Sequence, residues 1–327
     1  MLPREEGYYV DKLRRLNLTI RDRVMESLRD QEPAALAEVA RETPEDTIFR
    51  LDEGVDEVLL GFCDEWAREC TFAVVAEGIE GGRQVFPQGR SVGDAEFVLI
   101  VDPIDGTRPL MYDKRPAWVL SAVAENRGEE TNARDIRVAT QTEIPISKQY
   151  LASHLWAVDG QGYWGETHDV LTGRISVMRL RPSAATTLEN GFAGFVKFFP
   201  AGKAEAAALE LELFSRLLPS GVGGASIFDD QYISSGGQLY ELMVGHERFV
   251  ADIRPVLFER SGKDGLASHP YDLCTELIAR EAGVIVRRLD GELLDFPLNV
   301  TTPVSWAAYA NETLHAWIEP VLRELLG

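Results

Sequence analysis

Apolar side chains recur at helical spacing in the first part of the chain. Over residues 53–70 they follow an i, i+3, i+4, i+7 pattern, which is typical of a helix with one buried face. This face consists of Val55, Val58, Leu59, Phe62, Cys63 and Trp66. Asp52 precedes it, and aspartate is a favoured N-cap residue. Residues 8–43 show a similar pattern, which Glu32 and Pro33 would divide into two helices.

Continuous apolar runs then predict buried strands. Residues 71–76, TFAVVA, are followed directly by Glu77. Runs rich in Val, Ile and aromatic residues predict further strands at 96–101, 117–124 and 135–142, with shorter ones between 153 and 195. From about residue 200 the elements alternate: helices are predicted at 202–217, 230–243, 272–282 and after Pro303, with strands at 247–252 and 283–287.

This order of elements predicts a layered α+β or α/β fold in two parts. We place an N-terminal α+β part at residues 1–190 and a C-terminal α/β part at residues 191–327. Two sheets with helices between and outside them accommodate the elements better than one doubly wound sheet, because strands dominate the first half and alternate with helices only in the second.

The protein is strongly acidic, with a formal net charge of -20 over 327 residues. Binding to nucleic acid or to an anionic membrane surface requires clustered Lys and Arg, so we expect neither partner. No apolar run approaches the roughly 18 residues of a membrane span, and the first residues lack the apolar core of a signal peptide. The three cysteines lack a CxxC spacing and are interpreted as reduced thiols. We therefore expect a soluble, cytoplasmic protein.

The sequence LIVDPIDGTRPL places two carboxylates, Asp102 and Asp105, where a buried strand ends. One interpretation is a turn, because Pro, Asp and Gly are the usual residues of chain reversals. The other is a site for a metal ion and a phosphate. Two carboxylates and the carbonyl of Ile104 offer the oxygen ligands that Mg²⁺ prefers, and the N–H groups of Gly106 and Thr107 can point at an anion.

Three further acids share this position at the end of an element. Asp52 precedes a helix, Glu77 follows a strand, and Asp272 lies in the first turn of a helix in HPYDLCTELIAREAG. Helix capping is the alternative for Asp52 and Asp272, and a solvated loop is the alternative for Glu77. Together with the aspartate pair, these acids indicate a cleft in which carboxylates bind divalent cations.

Several segments resemble the inositol monophosphatase and fructose bisphosphatase superfamily. VDPIDGT matches the central signature of that family, AEG at 76–78 falls where the family has a Glu-Glu pair, and PYD at 270–272 falls where it has Trp-Asp. LDEGVDEVL at 51–59 is similar to the segment with the water-activating aspartate, and NVTTPVSWAAYAN also resembles the family. The correspondence runs in order from about residue 50 to 311 and implies a two-part αβαβα sandwich of the sugar phosphatase type.

The resemblance implies Mg²⁺-dependent hydrolysis of a small phosphate monoester, of the inositol or sugar phosphate type, by water activated with two or three metal ions. Glu77, Asp102 and the Ile104 carbonyl would bind the first ion. Asp102, Asp105 and Asp272 would bind the second. Lithium inhibits several members of the family, and we also expect a homodimer.

The attacking water would be positioned and deprotonated by Asp52 with Thr107, and Thr107 with Gly106 would bind the phosphate. Two residues depart from the family pattern. Tyr271 stands in place of the tryptophan, and either ring can pack beside the site. Gly78 stands in place of the second glutamate of the pair, which removes a carboxylate near the water or near a third metal ion.

The substrate side is assigned to Asp252, Ser234 and Ser235 by the same resemblance. Arg254 is a separate prediction: it lies in the long segment 253–271, whose basic residues either contact a second anionic group or are solvated. The ester stays open between inositol or sugar monophosphates, fructose bisphosphate, histidinol phosphate and phosphoadenosine phosphate. The alternative of another class is a binding or regulatory protein that holds a phosphate ligand without hydrolysing it.

Overall fold

The computed structural model describes residues 1–30, 39–42, 47–218, 226–262 and 265–327. Side chains are described throughout these ranges except at residues 30, 39–42 and 47–53. The helices are α1 (Glu6–Asp30), α2 (Arg50–Trp66), α3 (Thr107–Met111), α4 (Lys203–Leu217), α5 (Ser235–Met243), α6 (Arg254–Ser261), α7 (Glu276–Glu281) and α8 (Glu312–Leu326).

The strands form two main sheets and a small hairpin. The hairpin strands are β1 (Val39–Glu42) and β2 (Thr47–Phe49). The first sheet contains β3 (Phe72–Ala76), β4 (Arg83–Phe86), β5 (Phe97–Asp105), β6 (Ala117–Glu125), β7 (Ile136–Ile144), β8 (Leu151–Val158), β9 (Gly162–Asp169) and β10 (Ile175–Val177). The second sheet contains β11 (Gly191–Phe195), β12 (Ile227–Phe228), β13 (Glu247–Asp252), β14 (Ile285–Arg287) and β15 (Trp306–Tyr309).

The first sheet has the strand order β10-β9-β8-β7-β6-β5-β3-β4 and is antiparallel except where β3 runs parallel to β5. Both of its faces are covered, so its central strands are continuous apolar runs. Val74 and Leu99 face α1 and α2, whereas Ala73 and Val98 belong to the core on the other face. Because β3 and β5 are parallel, their carboxyl ends meet at one edge of the sheet.

Helix α1 covers the first sheet because it is amphipathic. Its fully buried side chains recur every three or four residues along one face. They are Tyr9, Leu13, Leu16, Ile20 and Val24. The face packs on β6 and β7, while α2 packs beside α1 and on β5.

The second sheet has the order β12-β11-β13-β15-β14 and lies behind the first. Helices α5 and α7 pack between the two sheets, because α5 contacts both β6 and β13 while α7 contacts both β7 and β14. Helices α4 and α8 contact each other and the outer side of the second sheet at β11 and β15. The layers are therefore helix, sheet, helix, sheet, helix, and the predicted αβαβα sandwich is confirmed.

Several predicted elements differ from the structure. Residues 39–42 form a strand, where a second helix was predicted, because the chain pairs there with 47–49 as a hairpin. Helix α2 begins at Arg50, so the backbone of Asp52 lies inside its first turn instead of before it. The strand β15 precedes the last helix and was not predicted.

The boundary between residues 190 and 191 stays a prediction. The last strand of the first sheet ends at Val177, and the first strand of the second sheet begins at Gly191. Among the described residues, no helix combines the length and the apolar character that crossing a bilayer requires.

Candidate metal and phosphate site

A bulge at the end of β5 brings Asp102 and Asp105 together. In a regular strand, residues three apart point to opposite faces. Here Asp102 lies opposite Leu120 and Asp105 lies opposite Trp118, so three steps on β5 span two steps on β6. This irregularity contains Pro103, which has no N–H to donate to the ladder. As a result, both carboxylates border the same cleft.

Asp272 reaches the same cleft from a 3-10 turn, Tyr271–Leu273, that precedes α7. The backbone N–H of His269 donates a hydrogen bond to Asp272 Oδ2, which holds the carboxylate at the start of the turn. One carboxylate oxygen each from Asp102, Asp105 and Asp272 lie within 4.8 Å of one another. The predicted convergence of these three acids is therefore seen in the structure.

The electrostatics of this cluster are unfavourable without a cation. Burial, followed by the charges of Asp105, Asp272 and Glu77, raises the pKa of Asp102 well above its ordinary value. Burial raises the pKa of Asp105 to about 6, although hydrogen bonds from Ser234 and from backbone amides oppose this shift. Two unit charges about 4 Å apart repel by about 4 kcal/mol at an effective dielectric constant of 20.

The donor set fits a hard divalent cation such as Mg²⁺. All three clustered groups are carboxylates, and hard cations are bound by oxygen ligands. Neither Asp102 nor Asp105 forms an ion pair with a basic residue of the described chain. The cleft has a volume of ≈ 170 Å³, well above the roughly 10–15 Å³ that is needed to hold one water, so it can admit a phosphate group.

The turn after β5 depends on a glycine. Gly106 has a φ of 99°, in the left-handed region, and precedes α3. A Cβ atom there would lie 3.2 Å from the carbonyl oxygen of Ile233 and 3.3 Å from Ser234 Cβ. The hydroxyl of Thr107 donates to the Ile104 carbonyl at 2.9 Å, and that carbonyl keeps a second lone pair. Gly106 and Thr107 both border the cleft.

The N-terminus of α5 supports Asp105. Ser234 Oγ donates to Asp105 Oδ2 at 2.8 Å and accepts from the Gly237 amide, so this serine caps the helix and orients the acid at once. The Gly236 amide donates to the same oxygen at 2.7 Å. Ser235 Oγ lies 2.8 Å from Ser268 Oγ. Both predicted serines therefore border the cleft, but their hydroxyls already contact protein groups.

Asp252 and Arg254 form a buried ion pair at the end of β13. Asp252 is fully buried, and Arg254 places Nε 2.8 Å from Oδ1 and Nη2 2.6 Å from Oδ2 of that carboxylate. Ser268 Oγ donates to Asp252 Oδ2 at 2.9 Å. The Arg254 guanidinium borders the cleft and lies 4.7 Å from the ring centre of Phe198 and 5.5 Å from that of Phe199.

The other predicted residues lie in different surroundings. Glu77 follows β3, is half-buried and borders the cleft. The side chain of Asp52 lies outside the described residues. Arg260, from the long basic segment, donates to the backbone carbonyl of Leu326 at the end of α8. Lys263 of that segment also lies outside the described residues.

Several residues that line the cleft were not predicted. The polar and aromatic ones among them are Asp56, Arg108, Phe198, Phe199, Ser268 and His269. A signal for Asp56 was present, because it follows Asp52 by one helical turn in LDEGVDEVL and therefore shares its helix face. The aromatic pair and Ser268 approach the cleft from loops, where periodicity carries no information.

No model of a protein family and no curated protein matches this sequence. Solved structures do match its fold. The extragenic suppressor protein SuhB from Bartonella henselae has a TM-score of 0.64 at 18% identity, with 97% of this chain and 99% of that chain covered. The Thermotoga maritima IMPase has a TM-score of 0.63 at 15% identity, with 98% and 99% covered. The Leishmania major fructose-1,6-bisphosphatase in its holo form has a TM-score of 0.64 at 13% identity, with 97% and 92% covered.

These similarities extend over nearly the whole length of each chain, so they concern the complete layered architecture and not one motif. The identities are too low to transfer activity or ligands. The resemblance that the motifs indicated is thus confirmed for the fold: this chain folds as inositol monophosphatase and fructose-1,6-bisphosphatase structures do.

Proposed function

We propose that this protein is a Mg²⁺-dependent phosphatase that hydrolyses a small phosphate monoester of the inositol or sugar phosphate type. The observation that carries the proposal is the cluster of Asp102, Asp105 and Asp272, whose carboxylate oxygens lie within 4.8 Å of one another in a cleft. Such a cluster repels an anionic substrate unless cations neutralise it. The shared fold with solved phosphatases supports the same reading.

Bound Mg²⁺ would supply neutralisation of the carboxylates, contacts to phosphate oxygens, and a lowered pKa of water. Asp102 and Asp105, held by the β5 bulge, would keep two ligand groups fixed on one side of the cleft. Asp272 would close the set from the turn before α7. Glu77 and the Ile104 carbonyl would complete it, since both lie at the carboxyl ends of the paired strands β3 and β5.

Phosphate would be held by the turn that joins β5 to α3. The backbone N–H groups of Gly106 and Thr107 are proposed to face it, because the glycine allows the main chain to approach closely. Asp52 and the Thr107 hydroxyl are proposed to position the attacking water, with its proton taken up at the Asp52 carboxylate.

The side of the cleft that is lined by Arg254, Ser268, Phe198 and Phe199 gives one indication of substrate preference. Asp252 accepts hydrogen bonds from the Arg254 amide, its guanidinium and Ser268, so it is poorly placed to accept bonds from a polyol. Phe198 and Phe199 offer an apolar aromatic surface beside Arg254. Stacking of a base on an aromatic ring contributes about 1–3 kcal/mol. Phosphoadenosine phosphate is therefore the second candidate substrate.

The test is release of inorganic phosphate with Mg²⁺ from inositol monophosphate, fructose bisphosphate, histidinol phosphate and phosphoadenosine phosphate. We expect turnover of at least one ester, its loss in EDTA, and inhibition by lithium. Binding of an ester without phosphate release at any divalent ion would favour the alternative of a non-catalytic phosphate-binding protein. The Asp102→Asn variant is the control for contaminating phosphatase, because it should be inactive in the same preparation.

A further inference from the structure

Strand β10 forms one edge of the first sheet and is exposed at every position. Among the described strands it pairs with β9 alone, and Ile175, Ser176 and Val177 are all exposed. The strand at the other edge, β4, has no exposed residue. An uncovered edge strand presents unpaired backbone groups to any chain that can run beside it. The first sheet is therefore covered at one edge and accessible at the other.

The register of β10 shows which of its backbone groups point outward. Arg174 and Met178, on either side of the strand, each form a backbone hydrogen bond with β9. Hydrogen-bonded positions alternate with non-hydrogen-bonded ones along an antiparallel ladder, and the pairing of β10 with β9 is regular. Ser176 therefore also bonds to β9, whereas the N–H and C=O groups of Ile175 and Val177 point away from it. These four groups can pair with a further strand.

The exposed apolar side chains of this edge share one face of the sheet. Ile175 and Val177 lie opposite His168 and Glu166, which both contact α1, so they belong to the face that α1 covers further along. Their exposed fractions are 56% and 84%. Trp164 lies two residues before Glu166 on β9, so it has the same orientation, and it is 42% exposed. Together these three side chains form an apolar surface that α1 leaves uncovered.

The chain around β10 is basic, although the protein is strongly acidic. Residues 170–188 contain three arginines and no acidic residue, whereas the whole chain has a formal net charge of -20. Arg174, Arg179 and Arg181 are exposed, and none forms a salt bridge with a described residue. Charges that protect an edge usually lie on the strand itself, whereas these arginines flank two exposed apolar residues.

The charge also indicates which kind of chain fits this edge. A second copy of the protein that paired its β10 antiparallel with this one would bring two sets of arginines to the same edge. Like charges across a strand pair are destabilising. An acidic segment would instead be attracted, so charge complementarity favours an acidic partner over self-pairing.

We propose that β10 is a docking strand for an extended acidic segment of another protein, which adds to the first sheet as one further strand. The backbone groups of Ile175 and Val177 pair with those of the segment, and its apolar side chains continue the surface formed with Trp164. Its acidic side chains reach the flanking arginines. Four strands separate β10 from β5 in the sheet, so this surface is distinct from the cleft and does not depend on the proposed function.

Fluorescence anisotropy of a labelled peptide, titrated with the full chain, tests this inference. The probe is an octapeptide of alternating glutamate and valine with blocked ends, and the control peptide has lysine in place of glutamate. We expect saturable binding of the acidic peptide that weakens as salt is raised, and no binding of the basic peptide. An acidic peptide that is N-methylated at alternate residues should bind about tenfold more weakly or less, because it lacks the donors for the edge.

Val177→Pro is the most specific variant of the protein. It removes the N–H group that points away from β9, and proline is tolerated on an edge strand when its nitrogen faces solvent. We expect it to weaken binding of the acidic peptide about tenfold. Val177→Thr is the matched control, because it keeps the N–H and a β-branched side chain, and it should bind within about threefold of the wild type. Arg174→Glu with Arg179→Glu should abolish binding of the acidic peptide.

Three results would overturn the inference. The first is the absence of saturable binding by the wild type. The second is equal binding of the plain and the N-methylated acidic peptides, which would show attraction by charge without strand pairing; this comparison needs no variant, so it holds even if Val177→Pro lowers the melting temperature. The third is a dimer in sedimentation velocity that Val177→Pro dissociates, because the edge would then pair with a second copy of this chain.

Discussion

Each main sheet ends one strand in a buried aspartate, and the surroundings of the two differ: Asp105 lines the cleft, whereas Asp252 lies behind the lining residues Arg254 and Ser268. Asp252 ends β13 of the second sheet and forms a two-point ion pair with Arg254, with N–O distances of 2.8 Å and 2.6 Å. Asp105 ends β5 of the first sheet and accepts hydrogen bonds from neutral groups, the Ser234 hydroxyl and the Gly236 amide. Its charged neighbour across the bulge is Asp102, another acid.

The difference separates an acid whose charge is paired inside the protein from an acid that we propose binds a cation. The charge of Asp252 is neutralised inside the protein, and its role is to hold Arg254 at the cleft wall. The charge of Asp105 is not neutralised by a described basic residue, and burial raises its pKa to about 6. Under the proposed function, the first sheet would provide the side of the cleft that binds cations, and the end of the second sheet would provide the wall that faces the rest of the substrate.

The largest expected effect is the loss of catalytic activity when Asp102 or Asp105 is replaced. Asp102→Asn and Asp105→Asn should each lower kcat/KM at least about a thousandfold, or about 4 kcal/mol, because each loses a ligand that stabilises charge in the transition state. Asp252→Asn should keep wild-type Mg²⁺ affinity. Phosphate release and Mg²⁺ titration measure both quantities. Near-normal turnover by either ligand variant would contradict the comparison.

The second largest effect is on the stability of the fold, and here the substitution that matters is at Asp252. Asp252→Asn leaves the buried Arg254 guanidinium without its partner, and breaking such a pair costs about 3–5 kcal/mol. Urea unfolding in EDTA measures the loss. The paired change Asp252→Asn with Arg254→Met should recover most of it, since no unpaired charge is left. If Asp252→Asn is as stable as the wild type, the ion pair does not hold the cleft wall.

A smaller effect concerns pH in the metal-free protein. The pKa of Asp105 is raised by folding, so its contribution to stability is fully present below its unfolded value near 3.8 and is lost as pH rises through about 6. The free energy of unfolding should fall by on the order of 2–3 kcal/mol across this window in the wild type relative to Asp105→Asn. Urea unfolding in EDTA from pH 4 to 7 compares the two. If the free energy of unfolding changes with pH in the same way in both proteins, folding does not raise the pKa of Asp105.

The smallest effect is expected at Arg260. Its guanidinium donates to the Leu326 carbonyl on α8 and does not border the cleft. Arg260→Ala should change KM for a bisphosphate by less than about twofold, as surface substitutions usually have small effects.

Arg254→Lys keeps the charge but loses the two-point geometry and should raise KM for the bisphosphate more than for a monophosphate. If Arg254→Lys and Arg260→Ala change KM for the bisphosphate equally, Arg254 has a purely structural role.

The sequence indicated the side of the cleft at the end of β5 better than the side around Arg254. The motif VDPIDGT and the apolar run before it were sufficient to predict strand β5 and the acids at its end. The bulge that turns Asp102 and Asp105 to one side was not predictable, because it depends on the register of β5 against β6. The spacing of Asp56 from Asp52 was a signal for this residue, but its closeness to Gly78 was not predictable, because it depends on how α2 packs beside β3.

Helix α6 shows a signal that was present but not used. Residues 253–271 were interpreted as a long loop with basic residues. Pro255 lies in the first turn of α6, and Gly262 has a φ of 61° just after its end. Proline early and glycine late are the usual start and stop signals of a helix. This helix pairs Arg254 with Asp252 and carries Arg260 away to α8, which separates two arginines that the sequence placed together.

We expect Asp102, Asp105 and Asp272 to hold a divalent cation, because no basic residue of the described chain neutralises Asp102 or Asp105. Anomalous diffraction from crystals soaked in Mn²⁺ at neutral pH tests it most directly. We predict a strong peak between these three carboxylates in the wild type and its loss in Asp102→Asn crystals of the same form. A well-ordered cleft without a peak at millimolar Mn²⁺, or the same peak in the Asp102→Asn crystals, would contradict the claim.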